Sequence, residues 1–205
     1  MTRFLLIRHA ATELLDRRIA GRMTGIHLSS VGRAQAERLA RQLATRDIGT
    51  IYSSPQARAR ETAMALRDNI EARIRIADEL DEIDYGDWTG RTFEELSGIT
   101  EWRAFNAVRS CARIPNGEFM PDVQARAIGL MERLCKRHWG LTVTLVSHAD
   151  VIRSALAHCL GMSLDFSLRL EISPASISTV AMDLYGPRVL CINYHQGAIS
   201  DHEFF

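Results

Sequence analysis

The chain has 205 residues, enough for one large domain or two small ones around a sizeable core. Hydrophobic residues make up 46% and charged residues 24%, ordinary globular proportions that exclude a disordered chain or a coiled coil. Lys plus Arg is 25 and Asp plus Glu is 25, so no net field draws the chain to nucleic acid or to an anionic membrane, and any anion binding has to be local.

Phe4-Leu5-Leu6-Ile7 is a short apolar run that stops at Arg8-His9. It reads as a strand buried on both faces and is far too short for a signal-peptide core or a membrane span, which predicts a cytoplasmic protein. Ser29 or Ser30 can cap a helix to about Thr45, with Val31, Ala34, Leu39 and Leu43 near helical spacing. Gly49 to Tyr52 reads as a second strand ending in Ser53-Ser54-Pro55, and Gln56 to about Asn69 as a helix with Pro55 near its first turn. Ile74-Arg75-Ile76 is a candidate third strand, and the acidic, non-periodic stretch Asp78 to Gly90 reads as a loop. From Thr92 to about Asn116 come short helical patterns with exposed-looking aromatics, Phe93, Trp102 and Phe105. This stretch fits no strand-helix alternation and reads as an insertion at about 92–120, a candidate cover for a site. Pro121 can open a helix to about Arg137, Leu141 to Val146 is the clearest buried strand, and a helix from Asp150 to Cys159 is stopped by Gly161. Ile177 to Leu184 and Arg188 to Asn193 are two more strands with no helix between them, which makes that end of the sheet antiparallel. The alternation predicts an α/β fold: a three-layer αβα sandwich, a mostly parallel sheet with helices on both faces, in a single domain over 1–205.

Two strands, Phe4 to Ile7 and Leu141 to Val146, each end within two residues of a histidine, His9 and His148. Ligands of open α/β sheets bind outside the carboxyl ends of the strands, so these histidines meet there if the strands are neighbours. Arg8 stands at the first strand end, and Arg58 in the first turn of the helix after Ser53-Ser54-Pro55. A guanidinium fork suits phosphate because it donates two parallel charge-assisted hydrogen bonds. A lone arginine carries little weight here, since Lys136 is the only lysine, and Arg60 reads as a solvated helix position. A phosphate-cleaving site without a metal motif also needs a general acid, and the run Asp78, Glu79, Asp81, Glu82, Asp84 and Asp87 offers several. Composition does not choose among them. The four cysteines, Cys111, Cys135, Cys159 and Cys191, show neither CxxC nor Cys-His spacing and read as reduced thiols.

Leu6-Ile7-Arg8-His9-Ala10-Ala11-Thr12 resembles the signature of the histidine phosphatase superfamily, which includes cofactor-dependent phosphoglycerate mutases and many small phosphatases. Ser53-Ser54-Pro55 with Arg58 and Thr62-Ala63 is similar to the second block of that family, and Leu80 to Ile83 with Tyr85-Gly86-Asp87-Trp88 and Gly90 to the third. Pro115-Asn116-Gly117-Glu118 is similar to a fourth, and Val146-Ser147-His148-Ala149 to the block of the second histidine. The resemblance implies a phosphoglycerate mutase-like fold and a metal-independent phosphatase that hydrolyses a small organic phosphomonoester. It implies His9 as the phosphorylated nucleophile, Arg8, Arg58 and His148 around the phosphoryl group, and Glu82 as proton donor and later base. Thr12, Gly21 and Ala149 are added as phosphate-binding positions. No cofactor or metal is implied; the partner is a small phosphorylated metabolite rather than nucleic acid or membrane, with a homodimer left open. The chain departs from the family pattern at Ala10 and Ala149, where glycine is usual, and at Leu15 or Asp16, where asparagine is common.

Three other functions compete. A mutase would return the phosphoryl group to a second hydroxyl, but the insertion here is short and mixes Arg103, Arg109 and Arg113 with Trp102, Phe105 and Ile114. A phosphate-binding protein with little turnover would not need His9, Arg8, Arg58, Glu82 and His148 together. A metal hydrolase built on His148, Asp150 and His9 lacks HExxH or a comparable motif.

Overall fold

The structure, a computed structural model, describes residues 1–70 and 72–195; Glu71 and the last ten positions of the expected 1–205 span lie outside the described residues. Six strands, β1 (Thr2–Arg8), β2 (Thr50–Ser53), β3 (Arg73–Ile76), β4 (Thr142–Ser147), β5 (Ile177–Asp183) and β6 (Gly186–Tyr194), form one sheet in the order β3-β2-β4-β1-β5-β6. β1 to β4 run parallel, while β5 is antiparallel to β1 and β6 to β5.

Alternation along β1 explains why its apolar run is continuous. Phe4 and Leu6 join one core cluster with α5 (Met120–Arg137) and α6 (Ala149–Cys159), while Leu5 and Ile7 join another with α1 (Ser30–Leu43) and α2 (Ala57–Arg67). Each such side chain contributes about 1.5–3 kcal/mol on burial, so a strand between two helical layers keeps no polar face. The fold is the three-layer sandwich. At the start of α1 the cap is Ser29, whose hydroxyl oxygen accepts from the Gly32 N–H at 3.0 Å. α5 begins at Met120, one residue earlier than expected, with Pro121 in its first turn.

Two stretches differ from the sequence reading. Asp78 to Gly90 is no featureless loop, for it holds two 3-10 turns, Asp78–Leu80 and Gly86–Trp88, and buries Leu80, Ile83 and Trp88 between its acids. The insertion folds into α3 (Phe93–Ser97) and α4 (Thr100–Ala107). Phe105 is fully buried rather than exposed; its ring and that of Trp102 lie 5.5 and 5.2 Å from Trp88, while Phe93 keeps 41% of its surface. These rings anchor the insertion to the acidic stretch.

In β1 against β4, Arg8 lies opposite Ser147, so His9 and His148 leave adjacent strand ends. The His9 N–H donates to the Ser147 carbonyl at 2.9 Å and the Ser54 N–H to the Val146 carbonyl at 2.9 Å, which draws three strand ends into one crevice. All four cysteines are free, and no helix among the described residues is long and apolar enough to cross a membrane.

Candidate active site

His9 is 7% exposed and His148 fully buried, with ring centroids 5.0 Å apart. The Nδ1 of His9 lies 2.8 Å from the Ala10 carbonyl oxygen. A carbonyl can only accept, so Nδ1 carries the proton and Nε2 keeps its lone pair. Arg58 donates to that lone pair through Nε at 3.3 Å, to Nδ1 of His148 through Nη2 at 3.3 Å, and to the Gly21 carbonyl at 2.7 Å. With its Nδ1 accepting, His148 donates through Nε2 to the Ser54 hydroxyl at 2.8 Å.

Burial, then the charges of Arg58 and Arg8, hold His9 well below the ordinary histidine range. Burial, Arg58 and His9 do the same to His148. Arg58 is itself 1% exposed, and its Nη1 has no hydrogen-bond partner among the described residues. Arg8 donates through Nη1 to the Ile172 carbonyl at 2.6 Å, and its buried Nε likewise lacks a partner. Two guanidiniums with unmet buried donors beside a neutral imidazole form an anion-binding arrangement.

Glu82 reaches the same place, with Oε2 3.6 Å from Nδ1 of His148 and a side chain 14% exposed. Burial and then the Asp150 charge push its carboxyl up to about 7, against the opposing pull of Arg58. Of the acidic run it is the member that lines the cavity; Asp81 instead accepts from the Ser54 hydroxyl and the Gln56 amide. Thr12 is buried and lines the cavity with Gly21 and Ala149, at the first residue of α6. Gly21 has φ of +48° and turns its carbonyl toward Arg58. Ala10 and Ala149 both have negative φ, so the missing glycines cost no backbone strain. Ala10 donates its N–H to the Thr62 hydroxyl at 3.1 Å, which ties the residue after His9 to α2. Arg60 is exposed, as expected.

The cavity around these residues is about 390 Å³, and Phe93, Trp102, Asn106 and Arg109 of the insertion line it. Its floor holds an ionic cluster that sequence reading missed. Asp150 is bound by Arg109 at 2.9 Å and Arg153 at 3.2 Å and accepts from the Tyr85 hydroxyl. Burial alone would raise Asp150, but the two guanidiniums outweigh it and hold the carboxyl well below the usual range. Arg109 is 3% exposed, and in an arginine-rich insertion no sequence signal separates it from Arg103 or Arg113. Among the described residues no three His, Cys, Asp or Glu side chains are grouped to hold a metal ion.

The model of the histidine phosphatase superfamily, branch 1, matches residues 4–195. The chain belongs to this superfamily. It is 31% identical over 188 residues to phosphoserine phosphatase 1 of Hydrogenobacter thermophilus, covering 89% of this chain and 88% of that one. It is 32% identical over 183 residues to the bifunctional protein Rv2228c of Mycobacterium tuberculosis, of which the match spans 49%, and 86% of this chain. A phosphoserine phosphatase mutant from Entamoeba histolytica, solved in complex with phosphoserine, superposes with a TM-score of 0.87 at 28% identity, covering 97% of this chain and all of that one. The superfamily fold is therefore present from β1 through β6.

Proposed function

We propose that this histidine phosphatase hydrolyses a small organic phosphomonoester through a phosphohistidine on His9. That it is a phosphomonoester hydrolase follows from its family and relatives. The observation that carries the mechanism is Arg58, a buried guanidinium that binds both histidine rings and keeps one donor unmet. In the first step Nε2 of His9 attacks phosphorus, the bond to the alkoxide oxygen breaks, and Glu82 gives that oxygen its proton. In the second, water attacks phosphorus, Glu82 takes the water's proton, the phosphorus–nitrogen bond breaks, and His9 returns to its neutral form. Arg8 and Arg58 neutralise charge on the non-bridging oxygens, where a loose phosphoryl transition state spreads it, and the neutral His148 borders the same subsite. Thr12, Gly21 and Ala149 complete the phosphate subsite. A carboxyl raised to about 7 suits both halves, being protonated in part of the population and ionised in the rest at neutral pH.

The chain is read as one domain whose segment 92–120 covers the cavity, supported by the insertion residues on its wall. The substrate class is a phosphorylated metabolite, as in the phosphoserine phosphatase relative. The test is a rapid-quench trap with p-nitrophenyl phosphate. Wild type forms an acid-labile phosphoenzyme, whereas His9→Ala forms none and keeps its fold by circular dichroism. Near-normal turnover by His9→Ala would place the nucleophile elsewhere.

A further inference from the structure

The motif Pro115-Asn116-Gly117-Glu118 takes no part in the reaction as proposed, yet it packs against the segment that carries Glu82. The Asp87 N–H donates to the Pro115 carbonyl at 3.1 Å, the Glu118 N–H to the Asp84 carbonyl at 2.8 Å, and the Asn116 amide to both Asp87 carboxylate oxygens. A Cβ on Gly117 would lie 2.5 Å from the Asp84 carbonyl oxygen, so glycine is what lets the two turns approach.

This interlock sets Glu118 between two arginines distant in sequence. Arg22 binds it through Nη2 at 2.8 Å, and Arg126 through Nε at 2.8 Å and Nη2 at 3.1 Å. Both guanidiniums then converge on one atom, the backbone carbonyl oxygen of Glu82, which accepts from Arg22 Nε at 2.7 Å and from Arg126 Nη2 at 3.3 Å. The Glu82 N–H donates to Asp81 at 2.8 Å, and that carboxylate lies 3.4 Å from Arg22 Nε. Side-chain charges thus fix the residue's backbone on both sides. Such charge-assisted bonds are roughly twice as strong as neutral ones, and neither Glu118 nor Arg126 exposes more than 18% of its side chain.

We propose that Glu118, with Arg22 and Arg126, positions the proton donor: the carboxylate aligns two guanidiniums that hold the Glu82 backbone, and this directs the Glu82 carboxyl toward His148 and the phosphate subsite. The proposal rests on Glu82 as the donor. None of the three touches the reacting atoms; they act through Glu82. A displacement of about 1 Å in a catalytic group can cost about 10²-fold in rate, so a carboxyl on a flexible side chain gains from a fixed base.

The experiment measures single-turnover phosphoenzyme formation from phosphoserine and from p-nitrophenyl phosphate in wild type, Glu82→Gln, Glu118→Ala, Glu118→Gln and Arg22→Met. An alkoxide needs protonation as it leaves and a nitrophenolate hardly does, so the ratio of the two rates reports the donor's placement. Glu118→Ala is expected to slow the phosphoserine step by about 10–10²-fold and the aryl step less than about threefold, with little change in KM; Glu118→Gln restores part of the loss. The basic limb of the phosphoserine reaction should also move to lower pH in Glu118→Ala, because a loosened carboxyl regains water and ionises more easily. If Glu118→Ala does not fold, Arg22→Met, at the more exposed end of the network, carries the same comparison.

Equal slowing of both substrates, or of neither, in the Glu118 and Arg22 variants would overturn the proposal. If Glu82→Gln separates the substrates and those variants do not, the positioning role alone falls. If Glu82→Gln does not separate them either, or wild type forms no phosphoenzyme, the assignment of the donor falls and the positioning role with it.

Discussion

The Nε of Arg58 lies 3.3 Å from Nε2 of His9, and the two residues come from different elements 49 positions apart. The guanidinium therefore accompanies the lone pair proposed to attack phosphorus, and through Nη2 it also reaches Nδ1 of His148 at 3.3 Å. Both rings accept from a permanent cation, an arrangement that requires both to be neutral.

Removing that cation tests its two effects separately. Arg58→Ala should lower phosphoenzyme formation by about 10²–10³-fold through lost charge stabilisation. It should also let the His9 pKa rise toward the ordinary range. Because His9 must be neutral to attack, the rate should then fall as pH drops toward the ordinary histidine value, while wild type stays level there. Single-turnover rates with p-nitrophenyl phosphate from pH 5 to pH 8 give both readouts, and a level profile in the variant would show that burial and Arg8 hold the pKa down without Arg58.

Glu82→Gln keeps size and hydrogen bonding but delivers no proton. Phosphoenzyme formation from an alkyl phosphate should fall by about 10²–10⁴-fold, and from an aryl phosphate much less. Stability should move the other way. The folded-state pKa of about 7 lies above the unfolded value, so stability from this group is complete below the unfolded pKa and is lost as pH rises through 7. Glu82→Gln should hence melt higher than wild type at pH 8, with the difference gone near pH 4. A constant difference in Tm across that range would contradict the raised pKa.

Arg109 and Asp150 form a buried pair, 3% and 7% exposed at the side chain. Asp150→Ala leaves Arg109 buried beside an empty place and should cost about 3–5 kcal/mol in urea unfolding. Arg109→Met should cost less, since Arg153 still holds Asp150 at 3.2 Å. The double variant should cost less than the sum, and strict additivity would show that the pair is not coupled.

Activity should survive exhaustive treatment with EDTA, because charge neutralisation is assigned to the guanidiniums of Arg8 and Arg58. Loss on chelation, restored by one divalent metal, would sink that assignment.

Hydrolysis and transfer separate on the fate of phosphate. Arg109 and Arg153 both pair with Asp150, whose carboxylate offsets part of the positive charge that a second anionic group of the kind a mutase must bind would need. Phosphate should therefore appear stoichiometrically with substrate loss. With 3-phosphoglycerate and catalytic bisphosphoglycerate, isomerisation should be slow; efficient conversion to the 2-phosphate isomer would mark the chain as a mutase.

Local residue patterns were enough to read the strands and the polar groups at their ends. The four-residue apolar run that stops at Arg8-His9 and the segment Leu141 to Val146 before Ser147-His148 read as buried strands, and loops after parallel strands open on one side of a sheet. Arg8, Arg58 and the two histidines were legible for that reason, since each is fixed by a strand or by the first turn of a helix. The order of strands was not. Periodicity reports which faces are buried and not which strand is the neighbour, so the meeting of His9 and His148 awaited the pairing of β1 with β4. Glu82 was singled out through family resemblance alone, because six acids in one stretch offer the same chemistry and nothing local says which of them lines the cavity. The packing of distant segments settles which one does. Residues 115–118 interlock with 84–87, and the rings of Trp102 and Phe105 on α4 reach back to Trp88 in the acidic stretch, so both contacts join separate segments of the chain. The same long-range packing buries Arg109 against Asp150 and turns Arg22 and Arg126 onto the Glu82 carbonyl. An arginine's partner depends on which distant acid the fold brings within reach, and no local pattern in an arginine-rich sequence encodes that.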